Sequence, residues 1–365
     1  MKIIHCADIH LDSPMKRLES GEKRSERKAE LIKAFTEMVK YAKTEDVKAI
    51  IIAGDLFDQS RVSAGARNAV LTAIRDNENI DFYYLKGNHD ASDILASSED
   101  IPKNLHTFTD RWKSIDLGEN VVLTAAELTA ENVGKISSEL NLDLSRFNIV
   151  SLHGQDTFAA ARDNAQIVNI NEYKNKNIDY LALGHVHSYK CEKLDGRGCY
   201  CYPGCLEARG FDETGEHGFM LLDIDGEKRT FTKTLIKQPI RSCRILPVDI
   251  SELKNTAEII KRIKEELAKA GYPDRDLVKI ELTGEVDYEC DKNPASIEIE
   301  FRDRFYDFKL KDLSGYKVDY DKYKMEESLK GEFIRTVQGA EDLSDEDKAE
   351  IIRIGIRTLM GEEAD

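Results

Sequence analysis

Short apolar runs recur along the first two-thirds of the chain, and several stop abruptly at polar residues. Lys2–Ala7, Lys48–Ala53, Asp81–Leu85, Val121–Ala125, Asn148–Leu152 and Asp179–Leu183 are too short for free-standing helices and predict strands. The Ile-rich run of Lys48–Ala53 is unbroken, which marks a strand buried on both faces. Glu22–Ala42 sets Leu31, Phe35, Met38 and Val39 at helical spacing, and Ala64–Asp76 predicts a second helix. Gly218–Ile224 and Thr230–Ile236 read as a closing pair of strands. After Lys237 the texture changes. Cys243–Val248, an amphipathic helix around Leu253–Ala270 and Leu277–Leu282 predict a β-α-β unit, followed by a helix at Ser296–Arg302 and a strand at Phe305–Leu310. Two helices, near Tyr323–Val337 and Asp345–Met360, predict the tail. The expected division is 1–237, then a small α+β domain at 238–320, then a helical segment at 321–365.

The polar residues that stop these runs carry the candidate chemistry. Open α/β sheets gather ligand-binding groups at the carboxyl ends of their strands. There the chain places Asp8 and His10, then Asp55 and Asp58 after Gly54, then Asn88, His89 and Asp90 after Gly87, then His153, then His185 and His187. Each piece is weak alone: D-x-H reads equally as a capping Asp beside a surface His, and GNHD as a turn. His185 and His187, two apart in extended chain, face one side together. Asp, Asn and His suit manganese, iron or zinc. A carboxylate has two oxygens and can hold two cations, so Asp55 is read as the bridging ligand of a two-metal site.

Composition sets limits on partners. The 365 residues carry a formal charge of -16, so nucleic acid would have to be held by local basic patches, by metal or by a partner. No apolar run approaches a membrane span, and the start MKIIHCAD has no signal-peptide core, which predicts a soluble cytoplasmic protein with no membrane attachment. Cys191, Cys199, Cys201 and Cys205 form a local group, but the first three flank the turn text KLDGRG and read as apolar fillers of a hairpin rather than a zinc knuckle.

Taken in order, D-x-H, G-D-x-x-D, G-N-H-D, H-G and G-H-x-H resemble the motifs of calcineurin-like metallophosphoesterases. HCADIHLDSP and YPGCLEARGFDETGEHGF resemble, within that superfamily, bacterial SbcD-type DNA-repair exonucleases of the Bacillus YhaO-like branch. The resemblance implies a four-layer α-β-β-α sandwich of α/β class, a capping domain and C-terminal helices. It implies two divalent metal ions, manganese first, with iron or zinc as alternatives. Asp8, His10, Asp55 and His187 would hold one, and Asp55, Asn88, His153 and His185 the other. His89 would be the general acid or transition-state stabiliser with Asp90 orienting it, and Asp58 would support the ligands without being catalytic. The implied function is hydrolysis of DNA phosphodiesters by a two-metal-activated hydroxide, with an SbcC-type SMC-like ATPase gripping the final helices. The stripe Ile352, Ile356 and Leu359, preceded by Ala349, is compatible with that grip, although packing on the chain's own body is the default.

Two rivals stay open: a small-substrate or cyclic-nucleotide phosphoesterase, which the acidic balance favours, and a non-catalytic scaffold for an ATPase. Protein phosphatases of this superfamily follow G-D-x-x-D with Arg-Gly and place Arg before G-N-H. Here Gln59-Ser60 and Lys86 stand in those places. Arg61 and Arg209 are read either as phosphate contacts or as solvated surface residues. Native metal, digestion polarity and pairing of two copies as a homodimer are not fixed by the sequence.

Overall fold

The computed structural model describes residues 1–58, 62–90, 101–158, 166–287, 290–317 and 325–359, so Arg61 lies outside the described residues. Two compact units result, Met1–Cys243 and Arg244–Asp365.

In the first unit, β1 (Lys2–Cys6), β2 (Ala49–Ala53), β3 (Asp81–Leu85) and β4 (Leu105–Thr107) run parallel. Antiparallel β13 (Gly218–Asp225) and β14 (Thr230–Lys237) complete a six-stranded sheet in the order β14-β13-β1-β2-β3-β4. The second sheet has the order β11-β12-β10-β7-β6-β5. Its parallel centre is β6 (Val121–Ala125), β7 (Phe147–His153), β10 (Tyr180–Gly184) and β12 (Cys199–Tyr202). Its antiparallel edges are β5 (Lys113–Gly118) and β11 (Lys190–Lys193). A separate ribbon, β8 (Gln155–Thr157) with β9 (Ile167–Asn169), follows β7.

The sheets meet face to face. Ile3, Ile51 and Leu85 from one interleave with Leu123, Ile149 and Tyr180 from the other, which is why these strands are unbroken apolar runs. Helices α1 (Gly21–Thr44) and α2 (Ala64–Arg75) belong to this unit, capped by Ser20 and Ser63, and α1 seats Tyr41 edge-on to Phe219 of β13. The second sheet's outer face is covered differently. Among the described residues, Leu152, Leu183 and Tyr202 pack under Leu140 and Leu142, which follow the one-turn α3 (Ile136–Glu139), and under the 3-10 turn Ile170–Tyr173. The fold is a mixed α/β sandwich, and among the described residues the cover of the second sheet's outer face comes from α3 and turns.

The second unit is built on the sheet β15 (Cys243–Asp249), β16 (Leu277–Thr283) and β18 (Asp307–Asp312). Helix α4 (Thr256–Ala270), capped by Asn255 and ended by Gly271 at φ 62°, and α5 (Pro294–Phe301) share one core with it through Ile259, Ile263, Val278 and Ile280. A small parallel pair, β17 (Glu285–Asp287) and β19 (Gly315–Lys317), lies beside them in sequence. Helices α6 (Leu329–Gln338) and α7 (Asp345–Leu359) pair through Ile334, Val337, Ile352 and Ile356. Two members of the expected stripe are therefore buried within the chain's own second unit. The side chains of Ala349 and Leu359 lie outside the described residues.

Candidate metal centre

Five strand exits meet at one edge of the sandwich: those of β1, β2 and β3 from the first sheet, and of β7 and β10 from the second. The loops after β1 and β2 stay laddered, with Asp8 N–H donating to Gly54 O at 3.1 Å and His10 N–H to Asp55 O at 3.0 Å. The second sheet is tied in by His153, whose Nδ1 donates to Ala53 O at 2.9 Å. Asp8, His10, Asp55 and His185 all hold positive φ (53°, 50°, 51° and 99°). Such strain in non-glycine residues persists only where the surroundings over-determine it.

Among the described residues three sets of donor atoms cluster, one of them His10, Asp58 and His89, and the other two are made of the expected ligands and meet at one oxygen. Asp8, His10 and His187 present ligand atoms within 4.8 Å of one another, as do Asp55, His153 and His185. His10 Nε2 lies 3.1 Å from His187 Nε2 and 3.7 Å from Asp55 Oδ2. His153 Nε2 lies 3.4 Å from the same Asp55 Oδ2 and 3.0 Å from Asn88 Oδ1, with His185 Nδ1 at 3.1 Å from that Asn88 oxygen. Asp55 Oδ1 is occupied differently, accepting from His89 N–H at 2.9 Å. Donors about 3–3.5 Å apart are the edges of a coordination shell with bonds of ~2.1 Å, so these side chains fit two divalent ions.

Three of the four imidazoles are aimed by a partner at the nitrogen away from the site. Nδ1 of His10 faces Asp58 Oδ1 at 3.2 Å, Nδ1 of His187 faces Glu213 Oε1 at 2.8 Å, and His153 has Ala53 O. Such contacts fix the tautomer and leave the Nε2 lone pair on the site. His185 N–H donates to both oxygens of Asp8, at 2.9 and 3.0 Å. Close approach demands two of the motif glycines: a Cβ on Gly87 would lie 2.2 Å from Asp55 Oδ1, and one on Gly184 1.9 Å from Ala53 O. Burial works against charge on Asp55 and His153 alike, yet their contact wins: Asp55 falls below the usual carboxylate range and His153 rises to about 9.

One expected role moves. Asp90 does not orient His89: its carboxylate accepts from the backbone N–H groups of Gly87 (3.0 Å), Phe57 (2.8 Å) and Leu56 (3.3 Å), clamping two loops together. The partner of His89 is Asp58, whose Oδ1 lies 3.0 Å from His89 Nδ1. Asp58 is held down to about 2, where burial is outweighed by hydrogen bonds from His10 and Ser13 and by the charge of Arg209.

Glu213, which the sequence reading passed over, orients His187. The cue was the text ARGFDETGEHGF, whose acidic residue gains meaning only from a tertiary contact. Arg209 is not a solvated surface residue. It is 17% exposed, and its guanidinium pairs with Glu213 at 2.6 Å and reaches Asp58 at 3.5 Å. Cys191 and Cys201 sit opposite each other in the β11–β12 hairpin, and Cys199 and Cys201 are buried in the inter-sheet core. All seven cysteines are free, and among the described residues none belongs to a metal-capable group.

Residues 1–227 match the model of the calcineurin-like phosphoesterase superfamily domain. The chain belongs to that superfamily. This phosphoesterase is similar to the DNA double-strand break repair protein Mre11 of Sulfolobus acidocaldarius, 25% identical over 308 residues, covering 78% of this chain and 76% of the relative. It is similar to the uncharacterized metallophosphoesterase YhaO of Bacillus subtilis, 25% identical over 296 residues, covering 75% and 70%. Mre11 of Sulfurisphaera tokodaii is 23% identical over 283 residues, covering 72% and 69%. The superfamily and the donor set together make the chain a metal-dependent hydrolase of phosphoesters. Among the described residues no helix is long and apolar enough to cross a membrane.

Proposed function

We propose that this phosphoesterase is a DNA nuclease of repair, cutting phosphodiesters at a two-metal centre and working with an SMC-like ATPase of the SbcC type. Residues 1–237 would be the nuclease domain, 238–320 the cap and 321–365 the partner-binding segment. The observation that carries the reading is the convergence of Asp8, His10, Asp55, Asn88, His153, His185 and His187 on two donor groups sharing Asp55 Oδ2. The likeness to proteins named as DNA double-strand break repair proteins supports the choice of DNA.

When bound, the two ions supply Lewis acidity for the phosphoryl oxygens and a water acidic enough to attack near neutral pH. The chain's own residues orient and protonate. Asp55, Asn88 and the four imidazoles set the ligand geometry. His89, 46% exposed and held at Nδ1 by Asp58, gives a proton from Nε2 to the leaving oxygen as the bond from phosphorus breaks. Asp58, 3.0 Å from Nδ1, holds the ring in the orientation for this donation.

For the partner, the outward apolar residues of the last segment are Met325, Leu329, Ile351 and Ile354, not the buried Ile352 and Ile356. Manganese-dependent digestion of end-labelled duplex DNA, run beside nucleotide monoesters and cyclic nucleotides, tests the reading. Turnover of duplex ends with little of the small substrates is the expected result. The reverse selectivity favours the small-substrate phosphodiesterase to which the charge of -16 points.

A further inference from the structure

A cleft of about 250 Å3 opens on the metal centre beside Asn88 and His153, and its other walls include Lys86, Glu127 and Leu128. It is smaller than the ~300–1,000 Å3 of drug-sized ligand sites, so it takes one small group next to the reacting phosphorus. Lys86, directly after β3, is the one lysine or arginine among the described residues lining it. Its ammonium lies 3.1 Å from Glu127 Oε2 and is 32% exposed, while Glu127 is 15% exposed. Glu127 is itself fixed by its backbone: its N–H donates to Thr109 O and its carbonyl accepts from Asn132 Nδ2, both at 2.8 Å. An ammonium has three N–H donors, and Glu127 takes one. A cation is thus held ready at the mouth of a site whose host carries a net -16 and repels polyanions at long range.

We propose that Lys86, anchored by Glu127, binds the phosphate that neighbours the scissile one on the Asn88–His153 side, and so selects a polynucleotide strand over diesters with a single phosphorus. The inference rests on the nuclease reading and names its specificity device. A lone ion pair fastening the β3 loop to the β6 exit would have the same geometry but no preference among substrates.

The test compares thymidine dinucleotides having one internal phosphodiester with the same molecules bearing an added 5′- or 3′-phosphate, in manganese. One end-phosphorylated form is expected to have at least fivefold lower KM than the plain dinucleotide. Lys86→Met should erase that ratio and Lys86→Arg should keep most of it. The favoured dinucleotide should also shield the Lys86 amine from reductive methylation, a readout that needs no turnover. Equal KM for all three in the unaltered protein removes the subsite and leaves the nuclease reading standing, as does a ratio that survives in Lys86→Met. Hydrolysis of bis(p-nitrophenyl) phosphate with no cleavage of dinucleotides or longer DNA removes both.

Discussion

At the scale of single residues, the site separates into groups that hold cations and groups that hold those groups. His89→Ala should keep its metal and lose ~10²–10⁴-fold in rate, the range for a positioned acid. Asp58→Asn should copy much of that rate loss and also weaken metal retention, because the same Oδ1 faces His10. Emission spectroscopy of bound metal with turnover of a chromogenic diester separates the two, and metal loss in His89→Ala would contradict the assignment. The proton inventory gives another expectation. With no cation present, His153 rises to about 9 because it faces Asp55, so near pH 7 it carries a proton that a metal must displace. Metal affinity should rise with pH until about 9 and then level, since above that pH Nε2 carries no proton to be expelled while Nδ1 keeps the one it gives to Ala53 O. Calorimetric titrations at pH 7 in buffers of unlike ionisation enthalpy should differ in heat, and identical heats would sink this account. The gathering of Asp8, His10, Asp55, His153, His185 and His187 was legible in the sequence because strand exits place polar residues in one crevice whatever the rest of the chain does. Glu213 and the Asp58–His89 contact were not, since both depend on how separate loops meet.

Elements were legible to the degree that their burial was uniform. β2 and β3 are buried along nearly their whole length, and the apolar run gives their limits almost residue for residue. β5 escaped notice because it is an edge strand, largely exposed, with no apolar side to show. The thin covering of the second sheet was hidden for a related reason: turns such as Ile170–Tyr173 have no periodicity. Helix α4 of the second unit was visible through its stripe, and that stripe makes a quantitative claim. Ile259, Ile263 and Leu267 are buried against Val278 and Ile280, so Ile263→Ala removes methyl groups from a packed core and should cost ~2–5 kcal/mol. Chemical denaturation should register that loss in the transition of the second unit. A cost below ~1 kcal/mol would mean that the core closes around the gap, contrary to the dense packing seen at this position.

For the whole molecule, the metal centre is also a cross-link. The seven proposed ligands follow β1, β2 and β3 on one sheet and β7 and β10 on the other, and all seven lie within Met1–Cys243. The second unit supplies none. A ligand that binds only the folded state stabilises it by RT ln(1 + [L]/Kd), about 2.7 kcal/mol at a hundredfold excess over Kd. The gain should therefore fall on one unit. Scanning calorimetry with manganese and then with chelator should lower the unfolding transition of Met1–Cys243 and leave that of Arg244–Asp365 where it was. Ile263→Ala should do the opposite, which identifies each transition independently of the metal. Asp55→Asn tests the shared oxygen in the same experiment: if Oδ2 serves both groups, the variant loses most of the metal-dependent shift, whereas loss of a ligand to one ion alone would leave part of it. A shift kept intact in Asp55→Asn would show that the two groups of donors bind independently, and the bridging geometry at the edge of the sandwich would then have no consequence for the molecule.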